Sequence, residues 1–338
     1  MQVKGQSDEI YLLDALAGID LDIFFRQVVE NPSIVKVIHA ASEDIRIIRR
    51  AGYICKTVFD TERSAKLLDF PFTSLAKVVE NLLEIRLDKG EQTSNWIKRP
   101  LTKRQCLYAA QDVMHLQAVK SKMISIAEQM GTLEFVEEEN SAWDHYRVEE
   151  KDGNLVSKKD MMKFSQFELY VYNELLKRRD YYARKVDKPP HFVIPKDILI
   201  DIAMTKNEDR MLTFFDKRGI HPLMKKRDVE LEFAGVLNDA RMSAQEMKLC
   251  RVIPKRPDNS EDKLSVLNSI YPSLHQHLVQ KYGLNTANHI LPNRLATELA
   301  TERKKIDDIE YAYKRKMFAD FEKEMKLGDV VKQNMSHL

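Results

Sequence analysis

Residues 33–52 read SIVKVIHAASEDIRIIRRAG, and this stretch decides the architecture. SIVKVIHA (33–40) is nearly continuous in apolar, β-branched residues, the pattern of a strand covered on both faces. SEDIRIIRRAG follows at once as a short amphipathic helix carrying Ile45, Ile47 and Ile48, with Gly52 placed to end it. A buried strand running straight into a helix predicts an α/β domain with parallel strands. The polar residues just past the strand, ending in Asp44, then lie where open α/β sheets place ligands.

Working outward, EIYLLD (9–14) reads as a second strand and SLAKVVENLL (74–83) as another amphipathic helix. PLTKRQCLYAAQDVMHLQAVKSKMISIAEQMG (100–131) reads as one long helix. It opens with Thr102 and Gln105 in capping-box spacing and stops near Gly131. Composition turns polar at EEKDGNLVSKKD (149–160), which suits a linker. Beyond it FSQFELYVYNELLKRRDYYARKV, IPKDILIDIAM, DRMLTFFDKRG and PLMKKRDVELEFAGVLNDA read as helices. A proline-punctuated stretch, VIPKRPDNSEDK, leads to a further helical set. The last helix, from about Asp307 to Lys326, alternates charges and reads as solvated surface unless it docks.

The chain has 338 residues, room for two or three domains, and a formal net charge of +2, so partners must be sought in local patches. Three cysteines lie far apart without metal or redox spacing, and no apolar run reaches the ~18 residues of a membrane span. The expectation is a soluble, cytoplasmic protein. No G-x-x-x-x-G-K-[ST] loop occurs, which excludes an ATP-driven motor built on that motif.

Two acidic positions are candidate ligands. Asp112 lies four residues after Tyr108, so both share one helix face. Converging carboxylates suit Mg²⁺ or Mn²⁺, and a neighbouring phenol can orient a water. The plainer alternatives are an N-terminal helix acid for Asp44, favoured by the helix dipole, and a half-buried tyrosine with a surface acid for the pair.

VIHAASEDIRIIRRAG, VFDTERSAKLLDF and the segment from Ser74 to Leu116, in that order and with those intervals, resemble the DEDD exonuclease domain of ribonuclease D. The resemblance implies a ribonuclease H-like fold and matches two metal-binding motifs. H-A-x-x-x-D runs from His39 to Asp44, and Y-x-x-x-D from Tyr108 to Asp112. It assigns Asp44 and Asp112 as ligands of a two-metal centre, with Tyr108 positioning the attacking water. A further family segment is matched by Leu87, Asp88, Lys89, Gln92, Ser94, Trp96, Arg99, Pro100 and Leu101, with Asn95 where ribonuclease D usually has Asp. Lys89, Gln92, Trp96 and Arg99 are therefore candidate nucleic-acid contacts. Trp96 either stacks on a base or pins the Pro100 turn.

Asp60-Thr61-Glu62 imitates the family's first motif, D-x-E, but comes sixteen residues after Asp44 instead of before it. Asp60 also stands in a natural N-cap position with Glu62 in the first turn, so the pair reads as a helix start. Residues 1–14 resemble the region after the true D-x-E. The expectation is thus a domain N-terminally truncated, lacking its first strand and two of four metal ligands, with an unpaired strand edge and poor solubility.

Phe167 to Ala240 resembles the helicase-and-RNase-D C-terminal (HRDC) domain, a helical nucleic-acid-binding module. Arg178, Arg179, Arg184, Lys185, Lys225, Lys226 and Arg227 are its candidate phosphate contacts, though such runs are usually solvated faces. The fold class expected is α/β followed by all-α. Its domains are an exonuclease domain at 1–147, a linker at 148–163, an HRDC domain at 164–243 and a second HRDC-like set at 260–330. The function implied is a monomeric 3′–5′ exoribonuclease acting on tRNA precursors or other small structured RNAs. The rivals are a catalytically inactive RNA-binding protein and a DNA exonuclease.

Overall fold

The structure, a computed structural model, describes residues 1–147, 155–205, 213–253 and 260–335. It divides into two compact units, Met1–Val148 with Asn259–Leu338, and Glu149–Asp258.

The first unit begins with strands β1 (Gln2–Lys4) and β2 (Ile10–Leu12), an antiparallel pair with Val3 opposite Tyr11. A second pair, β3 (Lys36–Ile38) and β4 (Val58–Asp60), is parallel with Val37 opposite Phe59. The expectation of parallel strands therefore holds for 33–60 and not for the N-terminal hairpin. In the hairpin, the short 5–9 connection can only return the chain antiparallel. Helix α1 (Ser42–Arg50) joins β3 to β4, the kind of crossover that a parallel pair needs.

Helices α2 (Thr61–Leu67) and α3 (Leu75–Leu83) follow. The long helix expected over 100–131 is two: α4 (Lys103–Met114) and α5 (Leu116–Met130), parted at His115. Their partners explain the break. Helix α4 packs on β1 and β2, while α5 packs on β3 and on α2 and α3, and one straight helix would not serve both pairs of strands. Helix α6 (Leu133–Ser141) closes this part of the chain.

The second unit is helical. Helix α7 (Gln166–Lys185) opens with a Ser165–Glu168 capping box, and α8 (Lys196–Met204) and α9 (Arg227–Glu246) pack against it. Tyr172, Leu175, Leu199, Ile202, Phe215 and Phe233 fill its core. Both expected linkers fall partly on 148–154 and 254–259, outside the described residues.

The chain then returns to the first unit with α10 (Ser260–Leu267), α11 (Tyr271–Tyr282), α12 (Leu284–Ile290), α13 (Asn293–Ala300) and α14 (Ala312–Met335). These helices, expected as a domain of their own at 260–330, share one core with the α/β part. Leu274, Leu278, Ile290 and Phe318 pack with Phe59, Leu67, Val79, Met123 and Phe135. The apolar faces of α2, α5 and α6 thus find their cover some 150 residues or more further along the chain, which no local pattern could reveal. Helix α14 likewise docks, burying Tyr313 and Phe318.

Two polar devices hold this junction. The Asp69 carboxylate accepts from the Asn285 N–H (2.7 Å), while its own N–H donates to Thr286 Oγ1 (2.9 Å). Gly283 (φ +89°) lets the two segments approach, because a Cβ there would stand 2.0 Å from an Asp69 oxygen. The second is Glu139, 1% exposed, which accepts from the Tyr313 hydroxyl (2.6 Å) and contacts His289 Nε2 (2.8 Å) and Lys314 Nζ (3.4 Å). Burial alone would raise its carboxyl. The His289 contact, the Lys314 charge and the Tyr313 hydroxyl outweigh that and hold it at about 2.

Candidate active site

Helix α4 presents the chemistry. Its capping box is formed: Thr102 Oγ1 accepts from the Gln105 N–H, and Gln105 Oε1 accepts from the Thr102 N–H (3.0 Å). This fixes the first turn, and Tyr108 and Asp112 then follow one turn apart on the same face. Both line a cleft of about 190 Å³ shared with Ser74, Leu75 and Ala76 at the start of α3, and with Asp88, Lys89, Gln92 and Gln111.

Burial, with the charges of Asp112 and Asp88 adding to it, pushes the Tyr108 phenol above its usual value. The phenol therefore stays protonated at neutral pH and can donate a hydrogen bond. Removal from water also raises the Asp112 carboxyl. Gln111 Oε1 is buried with no hydrogen-bond partner. Trp96 stands 5.8 Å from Tyr108 at a 45° tilt, so it packs against the tyrosine that would orient the nucleophile.

Asp44 lies in the first turn of α1 and does not line this cleft. Its carboxyl is raised, first by loss of water and further by the charges of Asp60 and Glu43, against the pull of its own backbone N–H. His39 Nδ1 is engaged with Thr61 Oγ1 (2.8 Å), tying the end of β3 to α2.

Asp60 is 2% exposed, and its carboxylate accepts from four backbone N–H groups: Ala40 and Ala41 (3.0 Å each), Glu62 (2.9 Å) and Arg63 (3.3 Å). Glu62 pairs with Lys66 one turn on. The D-T-E triplet is a helix cap that also pins the turn after β3.

The remaining candidates divide by what holds them. Lys89 and Gln92 are exposed at the cleft. Arg99 forms a two-pronged pair with Asp14 and donates to the Trp96 carbonyl (2.7 Å), so it supports the loop. Its guanidinium, chiefly by hydrogen bonding, holds the Asp14 carboxyl at about 2. In the second unit Arg178 pairs with Glu232 and lies over Tyr181 and Tyr182, and Arg179 pairs with Asp180. Lys225 Nζ donates to the Asp216 carbonyl (3.3 Å), while Lys226, Arg184 and Lys185 are exposed. Sequence reasoning missed the start of α3 and Gln111 as walls of the cleft. Only packing puts them there.

Asp44 and Asp112 carry the hard oxygen donors that divalent cations take. Among the described residues, however, no three His, Cys, Asp or Glu side chains gather where a metal ion could sit. The described residues do not fit a two-ion centre, which needs more carboxylates than these two.

Residues 1–128 match the family model described as 3′-5′ exonuclease. The chain is 29% identical to ribonuclease D of Desulfotalea psychrophila over 60% of its own length and 55% of the relative's. Among solved structures it is similar to the catalytic core of RRP6 from Trypanosoma brucei, with a TM-score of 0.52 and 26% identity over 63% of this chain and 61% of that one. It also shares the fold of Escherichia coli RNase D, with a TM-score of 0.65 and 23% identity over 84% and 75%. The fold is thus that of the DEDD-type exonucleases, an α/β domain followed by helices. The chain is similar to several proteins named ribonuclease D, at 26 to 31% identity over 58 to 82% of its own length. It spans 53 to 65% of the length of the first curated relatives it matches. Among the described residues no helix is long and apolar enough to cross a membrane.

Proposed function

We propose that this protein is a cytoplasmic 3′–5′ exoribonuclease that trims 3′ extensions of tRNA precursors or other small structured RNAs. One observation carries the reading: Tyr108 and Asp112 share a cleft with Lys89 and Gln92, inside a segment that belongs to the 3′-5′ exonuclease family. The Tyr108 phenol, kept protonated, donates to a water or a phosphate oxygen at the cleft. Lys89 offsets phosphate charge, and Gln92 supplies amide hydrogen bonds to the chain end. The homologues named ribonuclease D support RNA over DNA as substrate.

The test is incubation of the full chain with 5′-labelled RNA carrying a 3′ extension, with Mg²⁺ or Mn²⁺ and with EDTA. The reading expects a ladder shortening one nucleotide at a time from the 3′ end and stopped by Asp112→Asn, with matched DNA degraded more slowly; because Asp44 and Asp112 alone do not fill a two-ion centre, loss of the ladder in EDTA would mean that further donors, RNA phosphates among them, complete it. Unchanged metal-dependent trimming by Asp112→Asn would sink the site assignment. A second reading, RNA binding without cleavage, is favoured by the lack of three convergent ligands among the described residues. It expects binding whose salt dependence survives EDTA, with no ladder.

A further inference from the structure

The loop carrying Lys89, Gln92 and Trp96 has no strand or helix of its own. Between Asp88 and Ile97 it is a succession of turns, held by N–H donations from Gln92 to the Lys89 carbonyl (3.3 Å) and from Ser94 to the Glu91 carbonyl (3.1 Å). Turns of this kind do not fix a side chain by themselves. What fixes Trp96 comes from α4.

Gln105 is 7% exposed although Thr102, Lys103 and Arg104 beside it are exposed. Its amide is used at both ends. Oε1 accepts from the Thr102 N–H (3.0 Å) and hydroxyl (3.3 Å), while Nε2 donates to Ser94 Oγ (3.0 Å) and to the Asn95 carbonyl (3.2 Å). The orientation is dictated by chemistry: a backbone N–H demands the oxygen on one side and a backbone carbonyl demands the nitrogen on the other. A helix cap needs only the oxygen, and Glu serves a capping box as well as Gln does. The nitrogen is therefore spare for capping and belongs to the loop.

Arg99 grips the Trp96 carbonyl from the following side, and Gln105 grips the two residues before it. Tyr108 lies three positions beyond Gln105 on the same helix face, with the Trp96 ring against it. We infer that Gln105 is a positioning residue whose amide nitrogen holds Trp96 against Tyr108, and so sets the wall on which the terminal base of a single-stranded RNA 3′ end stacks. The RNA part rests on the exonuclease reading above; the hold on Trp96 does not.

The test compares Gln105→Glu with the parent full chain. Glu keeps the capping oxygen and loses both donors, so it remains usable where Gln105→Ala fails to fold. Trp96 emission is isolated as the difference between each protein and its Trp96→Phe counterpart, which leaves Trp143 as common background. Gln105→Glu is expected to raise acrylamide quenching of Trp96 about twofold at unchanged helix content. It should also weaken binding of a 5′-fluorescein oligoadenylate roughly tenfold, within the range of one lost base stack. Unchanged Trp96 quenching overturns the proposal and leaves Gln105 a helix cap. Looser Trp96 with unchanged RNA affinity overturns the stacking role. If the parent binds no RNA, the exonuclease reading fails, while the quenching arm still decides what Gln105 holds.

Discussion

Glu139 and Asp112 are both acids on helices of one unit, and they are treated in opposite ways. Glu139 is buried and satisfied by Tyr313, His289 and Lys314, and its carboxyl is held at about 2. Asp112 lines an open cleft with no such partners among the described residues, and partial removal from water pushes its carboxyl upward. The first arrangement stabilises the fold by fully partnering a charge. The second leaves an acid available to a ligand at some cost to the fold, as functional sites commonly do.

The sharpest way to break the comparison is Glu139→Gln. Removing the carboxylate strands Lys314 among buried groups, and loss of one member of a buried pair costs about 3–5 kcal/mol. Chemical denaturation should show that loss; one below about 1 kcal/mol would mean the cluster is mere contact.

The pH dependence sharpens it further. Glu139 has its folded value below the ordinary 4.5, so its contribution is present above that value and is lost as pH falls from about 4.5 toward about 2. A shift of that size is worth about 3 kcal/mol. Asp112, with its folded value raised, contributes in the opposite sense: it favours the folded state at low pH and opposes it as pH rises through that value. The acid limb of the stability curve should flatten in Glu139→Gln and persist in Asp112→Asn.

Asp112→Asn should in turn leave neutral-pH stability equal or slightly higher while lowering 3′ trimming by at least about a hundredfold, near 2.7 kcal/mol in the barrier. Single-turnover assays beside denaturation curves separate the two effects. The smallest expected change is Glu62→Gln. It removes a half-buried i,i+4 pair with Lys66, worth about 0.5 kcal/mol, and leaves trimming unchanged. A loss of activity there would reinstate D-T-E as a metal motif.

Much of this was legible in the residue order. Strand β3 running into α1, the cap at Thr102, and Asp60 as an N-cap all follow from signals that act within a few residues. Tyr108 and Asp112 share a face because a helix has 3.6 residues per turn, whatever surrounds it. The break at His115 was not legible, because it answers to two sets of partners for α4 and α5.

What the sequence determined by itself is local: strand, helix, cap and the face on which a side chain emerges, each set by backbone sterics and hydrogen bonds between near neighbours. The tertiary structure alone decided which surfaces meet. It folded 260–335 into the core of the α/β part, turned a charge-striped last helix into a docked one, and left Asp44 outside the cleft of Tyr108 and Asp112. Hydrophobic burial is non-directional and indifferent to sequence separation, so the partner of an apolar face is chosen only when the whole chain is folded.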